Sequence, residues 1–304
     1  MAHKTKETQG KTIAIIGADS YIASRFYEAM DKSSLKLFTR HPSGKAGEIV
    51  KDFFSLSSDD FEGVDVLLNF AAIVHQPEPK DETVVHHVNS DLPVFLAKAA
   101  KTAGVTQFVQ MSSLAVYGDV QRYTPDSPIQ PLGAYGRTKL AADEALLPMM
   151  DEHFCVSIVR APIVYGGGLS PGNIQRLVAL ALKGFPMPFR GLDNQRHFLH
   201  VYNLVAALRV LIEHQLRGVF LPADKNTVST EDIIDYASQF SSAKVRKFRP
   251  PSILLSLLKG VKPALHHKLY EDAIVLSNMP ESYQPRYTLA DGIADLVKAI
   301  EESE

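Results

Sequence analysis

Tyr135 and Lys139 stand four residues apart in Tyr135-Gly136-Arg137-Thr138-Lys139, in a segment that reads as a helix start and continues through Leu146. Residues four apart share one face of a helix, so a phenol and an ammonium would point into the same space. A free phenol has a pKa of about 10 and is a poor acid-base group at neutral pH. A neighbouring cation favours the phenolate, so Lys139 is expected to lower the Tyr135 pKa and bring proton transfer within reach. Ser113 lies upstream, where the apolar run Gln107-Phe108-Val109-Gln110-Met111 stops, and is the third candidate. A Tyr-x-x-x-Lys pair alone also fits an exposed helix face, so the surrounding elements decide between the two.

Those elements alternate β and α signals through the first half of the chain, the pattern of a parallel sheet covered by helices. Thr12 to Ile16, Leu35 to Phe38, Val64 to Phe70, Gln107 to Met111 and Val156 to Arg160 read as strands. Tyr21 to Asp31, Thr83 to Thr102 and the segment from Tyr135 read as helices. Beyond Tyr165-Gly166-Gly167-Gly168 the alternation weakens. Asn173 to Lys183 and Asn203 to His214 read as helices, Phe198 to Val201 as a short strand, and Leu289 to Ile300 as a final helix. The fold class is α/β, a Rossmann-type doubly wound parallel sheet with a smaller, mainly C-terminal α/β substrate lobe. Residues 11–166 with about 196–220 are assigned to the sheet domain, 167–195 and 221–304 to the lobe, and 1–10 to a loose tail. The apolar stretch Phe248 to Ser277 is read as a cover for the ligand pocket. Only Lys259 closely follows its hydrophobic run, and a membrane-surface helix calls for a strongly basic face.

Composition removes several function classes. A formal net charge of −2 leaves no basic footprint for nucleic acid. The single cysteine, Cys155, excludes a disulfide framework and a cysteine-cluster metal site, and points to a reducing, cytosolic location. No apolar run approaches the ~20 residues of a membrane span, so no insertion is expected. The histidines are scattered without metal-ligand spacing, and no metal is expected.

Strand, Gly17 and helix together make the place for a dinucleotide-binding turn. Gly17-Ala18-Asp19-Ser20-Tyr21-Ile22-Ala23 keeps only the first glycine of a Gly-x-x-Gly-x-x-Gly pattern, with Ser20 and Ala23 in the other two places. Both are small, as close pyrophosphate approach and helix-strand packing require, and the helix amino terminus still offers free N–H groups. NAD-selective sites usually carry an acid about 20 residues after the turn. Here Leu37-Phe38-Thr39-Arg40-His41-Pro42 has none. Thr39 and Arg40 could instead hold a 2′-phosphate, which favours NADP(H) and leaves NAD(H) possible.

Taken together, these segments resemble the extended short-chain dehydrogenase/reductases, the family of nucleotide-sugar epimerases, dehydratases and ketoreductases. The likeness runs from about Thr12 to Leu204. It is carried by the Gly17 turn, Asn69-Phe70-Ala71-Ala72, Asn89, Ser112-Ser113-Leu114-Ala115-Val116-Tyr117-Gly118, Tyr135-x-x-x-Lys139, Arg160 to Gly166 and Arg196 to Val201. The resemblance implies that Tyr135 is the acid-base residue and that Lys139 supports it and holds the nicotinamide ribose. It implies that Ser113 hydrogen-bonds the reacting sugar oxygen. Cofactor contacts are implied at Gly17, Ser20, Tyr21, Ile22, Thr39 and Arg40, and also at Asp52, Phe53, Ala71, Ala72 and Pro162. Asn89 is implied as a structural group inside a helix, Asn173 and Arg196 as contacts to the diphosphate of a UDP-sugar, and a homodimer as the assembly.

Between Ser113 and Tyr117 the family's 4,6-dehydratases carry an Asp-Glu pair, and here stand Leu114 and Ala115, which can do neither acid nor base work. The 3,5-epimerase/reductases place a cysteine beside the serine motif, and none is there. Two reactions remain, one-way reduction of a 4-keto sugar and 4-epimerisation with retained NAD. The stretch from Pro171 to Leu204 resembles the 4-ketoreductases of bacterial capsule and O-antigen pathways, which favours reduction; Ala134 and Gly136 beside Tyr135 also leave room for a sugar. A third reading, a cofactor sensor without turnover, fits the thinned glycine turn.

Overall fold

The computed structural model describes residues 10–74 and 81–303, so all of the tail expected at 1–10 except Gly10 lies outside the described residues. Strand β1 (Ile13–Ile16) is buried throughout and leads through the Gly17 turn into α1 (Tyr21–Ala29). Strands β2 (Leu35–Thr39), β3 (Glu48–Val50) and β4 (Val66–Asn69) follow. The single helix expected over Thr83 to Thr102 is interrupted. A π-helical turn, His87–Asp91, separates α2 (Glu82–His86) from α3 (Leu92–Thr102). Pro93, in the first turn of α3, has no N–H to donate back, so the ladder is broken next to the wide turn.

Strand β5 (Gln107–Ser113), the two-residue β6 (Arg122–Tyr123), α4 (Ala134–Leu146), β7 (Cys155–Ala161) and β8 (Val164–Tyr165) come next. They are followed by α5 (Asn173–Leu182), β9 (Pro186–Met187), β10 (Leu199–His200), α6 (Val201–Glu213) and β11 (Gly218–Phe220). The chain ends with α7 (Thr230–Phe240), β12 (Arg246–Lys247), α8 (Ser252–Val261), α9 (Pro263–Tyr270), β13 (Ile274–Val275) and α10 (Leu289–Glu301). Between Gly218 and Tyr270, where the alternation weakens, lie β11, α7, β12, α8 and α9, the last two inside the apolar stretch Phe248 to Ser277. A signal was present for α7, whose Ser229 and Asp232 form a capping box.

Contacts divide the chain into two units. The first comprises residues up to Gly118, Ile129–Arg160 and Val205–Phe220. It holds a seven-stranded sheet in the order β11-β7-β5-β4-β1-β2-β3, with parallel ladders, and the strand order reverses between β1 and β4. This is the doubly wound Rossmann arrangement, in which ligands bind at the carboxyl ends of the strands near that reversal. Its core packs Ile16, Phe38, Phe61, Leu67, Leu96, Phe108 and Ile158, all essentially removed from water.

The second unit comprises Asp119–Pro128, Ala161–Leu204 and Leu221–Glu304. Its core gathers the apolar faces of α5, α7 and α10 through Ile174, Val178, Ile233, Ile293, Leu296 and Val297. Helix α8 belongs to no such core and buries none of its residues.

Candidate active site

Gly136 sets the spacing of the site. A Cβ there would stand 2.5 Å from the Ala115 carbonyl oxygen. The absent side chain therefore lets α4 close onto the 3-10 turn Leu114–Tyr117, and the space beside Tyr135 expected for a sugar is filled by backbone at this position. The turn starts at Ser113, whose Oγ accepts a hydrogen bond from the Ala115 N–H (3.2 Å). The end of β5 and the start of α4 thus bring Ser113 and Tyr135 together.

Tyr135 remains partly exposed as a residue, yet loss of water around its phenol pushes the pKa up to about 12. Hydrogen bonding with Ser113 acts to lower it, and the charge of Asp143 acts to raise it. The downward shift expected from Lys139 is absent. The Lys139 ammonium is buried, donates to the Met111 carbonyl (2.9 Å), and lies 6.0 Å from the centre of the Tyr135 ring. Burial pushes the Lys139 pKa down to about 8, against the pull of Asp143.

Asp143 was missed in the sequence. It continues the Tyr135-Lys139 spacing by one helical turn, and that i, i+4, i+8 series was the available signal. Its carboxylate is fully buried, and Oδ2 accepts from Ser112 Oγ and from Arg160 Nε, each at 2.9 Å. Arg160 Nη1 donates to the Tyr117 hydroxyl (2.8 Å), and the guanidinium lies 4.9 Å from that ring's centre. Burial pushes the Asp143 pKa up while Arg160 holds it back. Asn89 sits in the π-helical turn. Its side chain accepts from the Ile73 N–H (2.8 Å) and donates to the Ile73 carbonyl (3.0 Å) and Thr138 Oγ1 (3.3 Å). The wide turn thereby ties the segment after β4 to the helix that carries Tyr135 and Lys139.

A cleft of about 170 Å³ opens at the ends of β1, β2 and β4, with Gly17, Ser20, Arg40, Asp52, Phe53 and Ala71 among its walls. Gly17 has φ +76°, and a Cβ there would stand 3.0 Å from the Ala71 nitrogen, so only glycine fits this crossing. Ser20 Oγ accepts from the Ala23 N–H (3.4 Å), capping α1, and Tyr21 and Ile22 form its first turn. Arg40 is exposed at the rim with its guanidinium 5.9 Å from the Phe53 ring centre. Asp52 Oδ1 accepts from the Phe54 N–H (2.9 Å), and Ala72 is also on the wall. Thr39 is not among the lining residues; it is fully buried at the end of β2. A close glycine crossing beside a helix amino terminus, with a cation at the rim and no acid ending β2, fits a nicotinamide dinucleotide.

In the second unit, Asn173 is exposed at the first position of α5. Pro162 follows directly on β7. Arg196, expected as a diphosphate contact, is 5% exposed. Its Nη1 donates to the carbonyls of His267 (3.0 Å) and Glu271, so the guanidinium covers the carboxyl end of α9. The same unit encloses His200, whose ring stacks on Tyr287 (4.6 Å between centres, 8° between planes). Burial pushes the His200 pKa down to about 4. Side chains at Gly166 or Gly292 would overlap that imidazole. Asp224, also unforeseen, accepts from Tyr165 Oη (2.8 Å), the His200 N–H (2.9 Å) and Asn203 Nδ2 (2.7 Å), and burial pushes its pKa up to about 6.

Comparison with known proteins agrees with this geometry. The model of the NAD dependent epimerase/dehydratase family matches residues 13–220, more than half of the chain. The chain belongs to that family. Among curated relatives of this epimerase/dehydratase, UDP-glucose 4-epimerase of Vibrio cholerae is 28% identical over 243 residues, 74% of each chain. The structure of MoeE5 in complex with UDP-glucose and NAD superposes with a TM-score of 0.75 at 23% identity, covering 97% of this chain and 99% of that one. UDP-N-acetylglucosamine 4-epimerase from Methanobrevibacter ruminantium M1 gives a TM-score of 0.78 at 16% identity, covering 99% and 100%. These likenesses establish the Rossmann-type fold of an NAD-dependent epimerase/dehydratase. Among the described residues no helix is long and apolar enough to cross a membrane, and no cluster of three or more His, Cys, Asp or Glu could hold a metal ion.

Proposed function

We propose that this epimerase/dehydratase family member reduces the C4 ketone of a UDP-2-acetamido-2,6-dideoxy-4-hexulose to a UDP-N-acetyl-6-deoxyhexosamine for surface polysaccharide synthesis, with NADP(H) as coenzyme. The observation that carries the reading is the end of β2, where the exposed Arg40 stands at the rim of the dinucleotide cleft and no acid is present for a ribose 2′-hydroxyl, which suits a released NADPH. Beside Ser113, burial raises the Tyr135 pKa and keeps the phenol in its proton-donating form. A protonated phenol is a donor, and reduction asks for a proton at the developing sugar alkoxide. A bound nicotinamide supplies the hydride. Tyr135 hands its proton to O4, and Ser113 steadies the same oxygen, where a hydrogen bond is worth most as charge develops. Lys139, with its pKa at about 8, is mostly charged at neutral pH and lies one turn behind the phenol. Leu114 and Ala115 offer no second acid or base, which argues against dehydration. Gly17, Ser20, Tyr21, Ile22, Asp52, Phe53, Ala71, Ala72 and Pro162 serve the coenzyme in this scheme, Arg40 the 2′-phosphate, and Asn173 and Arg196 the diphosphate. Arg196 must then act through atoms other than Nη1.

A 4-epimerase with retained NAD is the second reading, favoured by the 28% identity to the Vibrio cholerae UDP-glucose 4-epimerase. The deciding experiment supplies purified protein with the 4-keto sugar nucleotide and either NADPH or NADH. Stoichiometric coenzyme oxidation that is lost in Tyr135→Phe supports the reductase. C4 epimerisation of UDP-glucose or UDP-N-acetylglucosamine without added coenzyme, and no oxidation of either, supports the epimerase. Tight NADPH binding without turnover of either substrate would leave a sensor.

A further inference from the structure

Helix α8 is apolar at six of its ten positions, yet none of its residues is buried. Ile253, Leu257 and Val261 recur every fourth residue and are 79%, 62% and 68% exposed, with Leu254 beside them on one face. Leu265 on α9 and Phe248 before α8 are exposed as well. Water gives no reason for such a face. Both ends of the hairpin are nonetheless fixed to the second unit. Before α8, the Phe248 N–H donates to the Met187 carbonyl (2.9 Å) and the Arg190 N–H to the Phe248 carbonyl (3.1 Å). After it, the end of α9 is held by Arg196, by Thr230 Oγ1 to the Leu269 carbonyl (2.7 Å) and by Asn194. The apolar face is presented by a pinned frame.

The segment itself carries charge of one sign, with carboxylates at its borders, Asp235 and Glu271. From Tyr236 to Tyr270 the sequence holds Lys244, Arg246, Lys247, Arg249, Lys259, Lys262 and Lys268, and no Asp or Glu. Lys247 and Lys259 pair with carboxylates. Lys244, Arg246, Arg249, Lys262 and Lys268 have no ion-pair partner among the described residues; Lys244, Arg246, Lys262 and Lys268 are exposed, as is Arg249. Counting only the lysine immediately after the apolar run concealed cations on both sides of it.

We infer that α8 and α9 dock on the surface of an anionic lipid bilayer, with Ile253, Leu254, Leu257 and Val261 at the acyl boundary and the flanking cations at headgroup level. An amphipathic helix lying in the interface needs that combination of exposed apolar face and cationic flanks. A second copy of the chain is disfavoured as the occupant, because a two-fold contact of this face with itself would bring the cations of one copy among those of the other. The attachment is peripheral, since α8 is far too short to span.

The test is co-sedimentation of the full-length protein with vesicles of phosphatidylcholine alone or of three parts phosphatidylcholine to two parts phosphatidylglycerol. Binding is expected to the anionic vesicles alone and to weaken at high salt. Ile253→Asp with Leu257→Asp should abolish it without shifting the melting temperature, and Lys262→Ala with Lys268→Ala should weaken it about fivefold for each cation removed. Turnover in solution should be unchanged in both variants. Absence of binding to anionic vesicles, or equal binding to both compositions, overturns the inference. So does an Ile253→Asp, Leu257→Asp protein that changes oligomeric state while sedimenting with vesicles as before, which would assign the face to a second copy. Loss of solution turnover in a protein that never bound vesicles would return α8 to covering a pocket.

Discussion

Replacing Lys139 by methionine should change the pH dependence of folding in a way that separates its buried charge from its packing. Folding lowers the Lys139 pKa from 10.5 to about 8. Each pKa unit corresponds to about 1.4 kcal/mol, so holding the ammonium in the folded protein costs about 3 kcal/mol below pH 8. Between about 8 and 10.5 the unfolded chain binds more protons than the folded one, so the cost is relieved as pH rises. By pH 9.5 about 2 kcal/mol of it should have gone. The lost hydrogen bond to the Met111 carbonyl and the altered packing do not vary with pH, and they enter only as a constant offset. Urea unfolding of wild type and Lys139→Met at pH 7 and pH 9.5 reads the difference directly. Wild type should gain about 2 kcal/mol on the variant between the two pH values, with equal m-values. A difference that stays flat within about 0.5 kcal/mol refutes the desolvated ammonium, and with it the account of Lys139 as a cation one turn behind the phenol.

Three further perturbations test neighbouring parts of the site. Asp143→Asn leaves Arg160 buried without its counter-charge and should cost about 3–5 kcal/mol in urea unfolding, much of it recovered in the double variant with Arg160→Met. Gly136→Ala drives a methyl into the Ala115 carbonyl and should cost about 1–3 kcal/mol while lowering kcat. Gly133→Ala, where a Cβ meets nothing within 4 Å, should be near neutral and serves as its control. Arg40→Ala should raise the KM for NADPH about 10- to 100-fold and leave that for NADH nearly unchanged, the loss of a charge-assisted phosphate contact; equal effects on the two coenzymes would remove the 2′-phosphate argument.

Much of the architecture could be read before the structure because hydrophobic period and turn residues are local. β1, β2, β4, β5 and β7 are short buried runs, and α4 follows from its i, i+4 pattern. What escaped depends on partners distant in sequence. β3 and β11 are three residues each and become strands only by lying against β2 and β7. The turn within Thr83 to Thr102 widens at Asn89, whose amide is held by Ile73 and Thr138. Around the candidate site, residue types and spacing pointed to Tyr135, Lys139 and Ser113 but misjudged the sign of the phenol's pKa shift. Sequence spacing reports a nearby cation and says nothing about how much water the fold removes. Arg196 shows the same limit: a motif position places the backbone, and only packing tells where the guanidinium goes.

The single imidazole of His200 has a consequence for how this chain can vary. It fills the volume a side chain at Gly166 would occupy and, together with the Tyr165 ring, which stands nearer, the volume beside Gly292, although these positions are far apart in sequence. Alanine at either glycine is incompatible with the ring. Gly166 also has a backbone φ of +88°, which only glycine adopts without strain, whereas Gly292 lies in α10, where alanine suits the backbone. Position 292 is therefore conditionally open. A chain that first trades Tyr165 for a smaller residue, with relief at His200, gains a helix-favouring substitution at 292 that is closed to the present one. Drift here should be ordered, with the two rings yielding before the glycine, and a library randomising 165, 200 and 292 together should recover folded combinations that single-site scanning rejects.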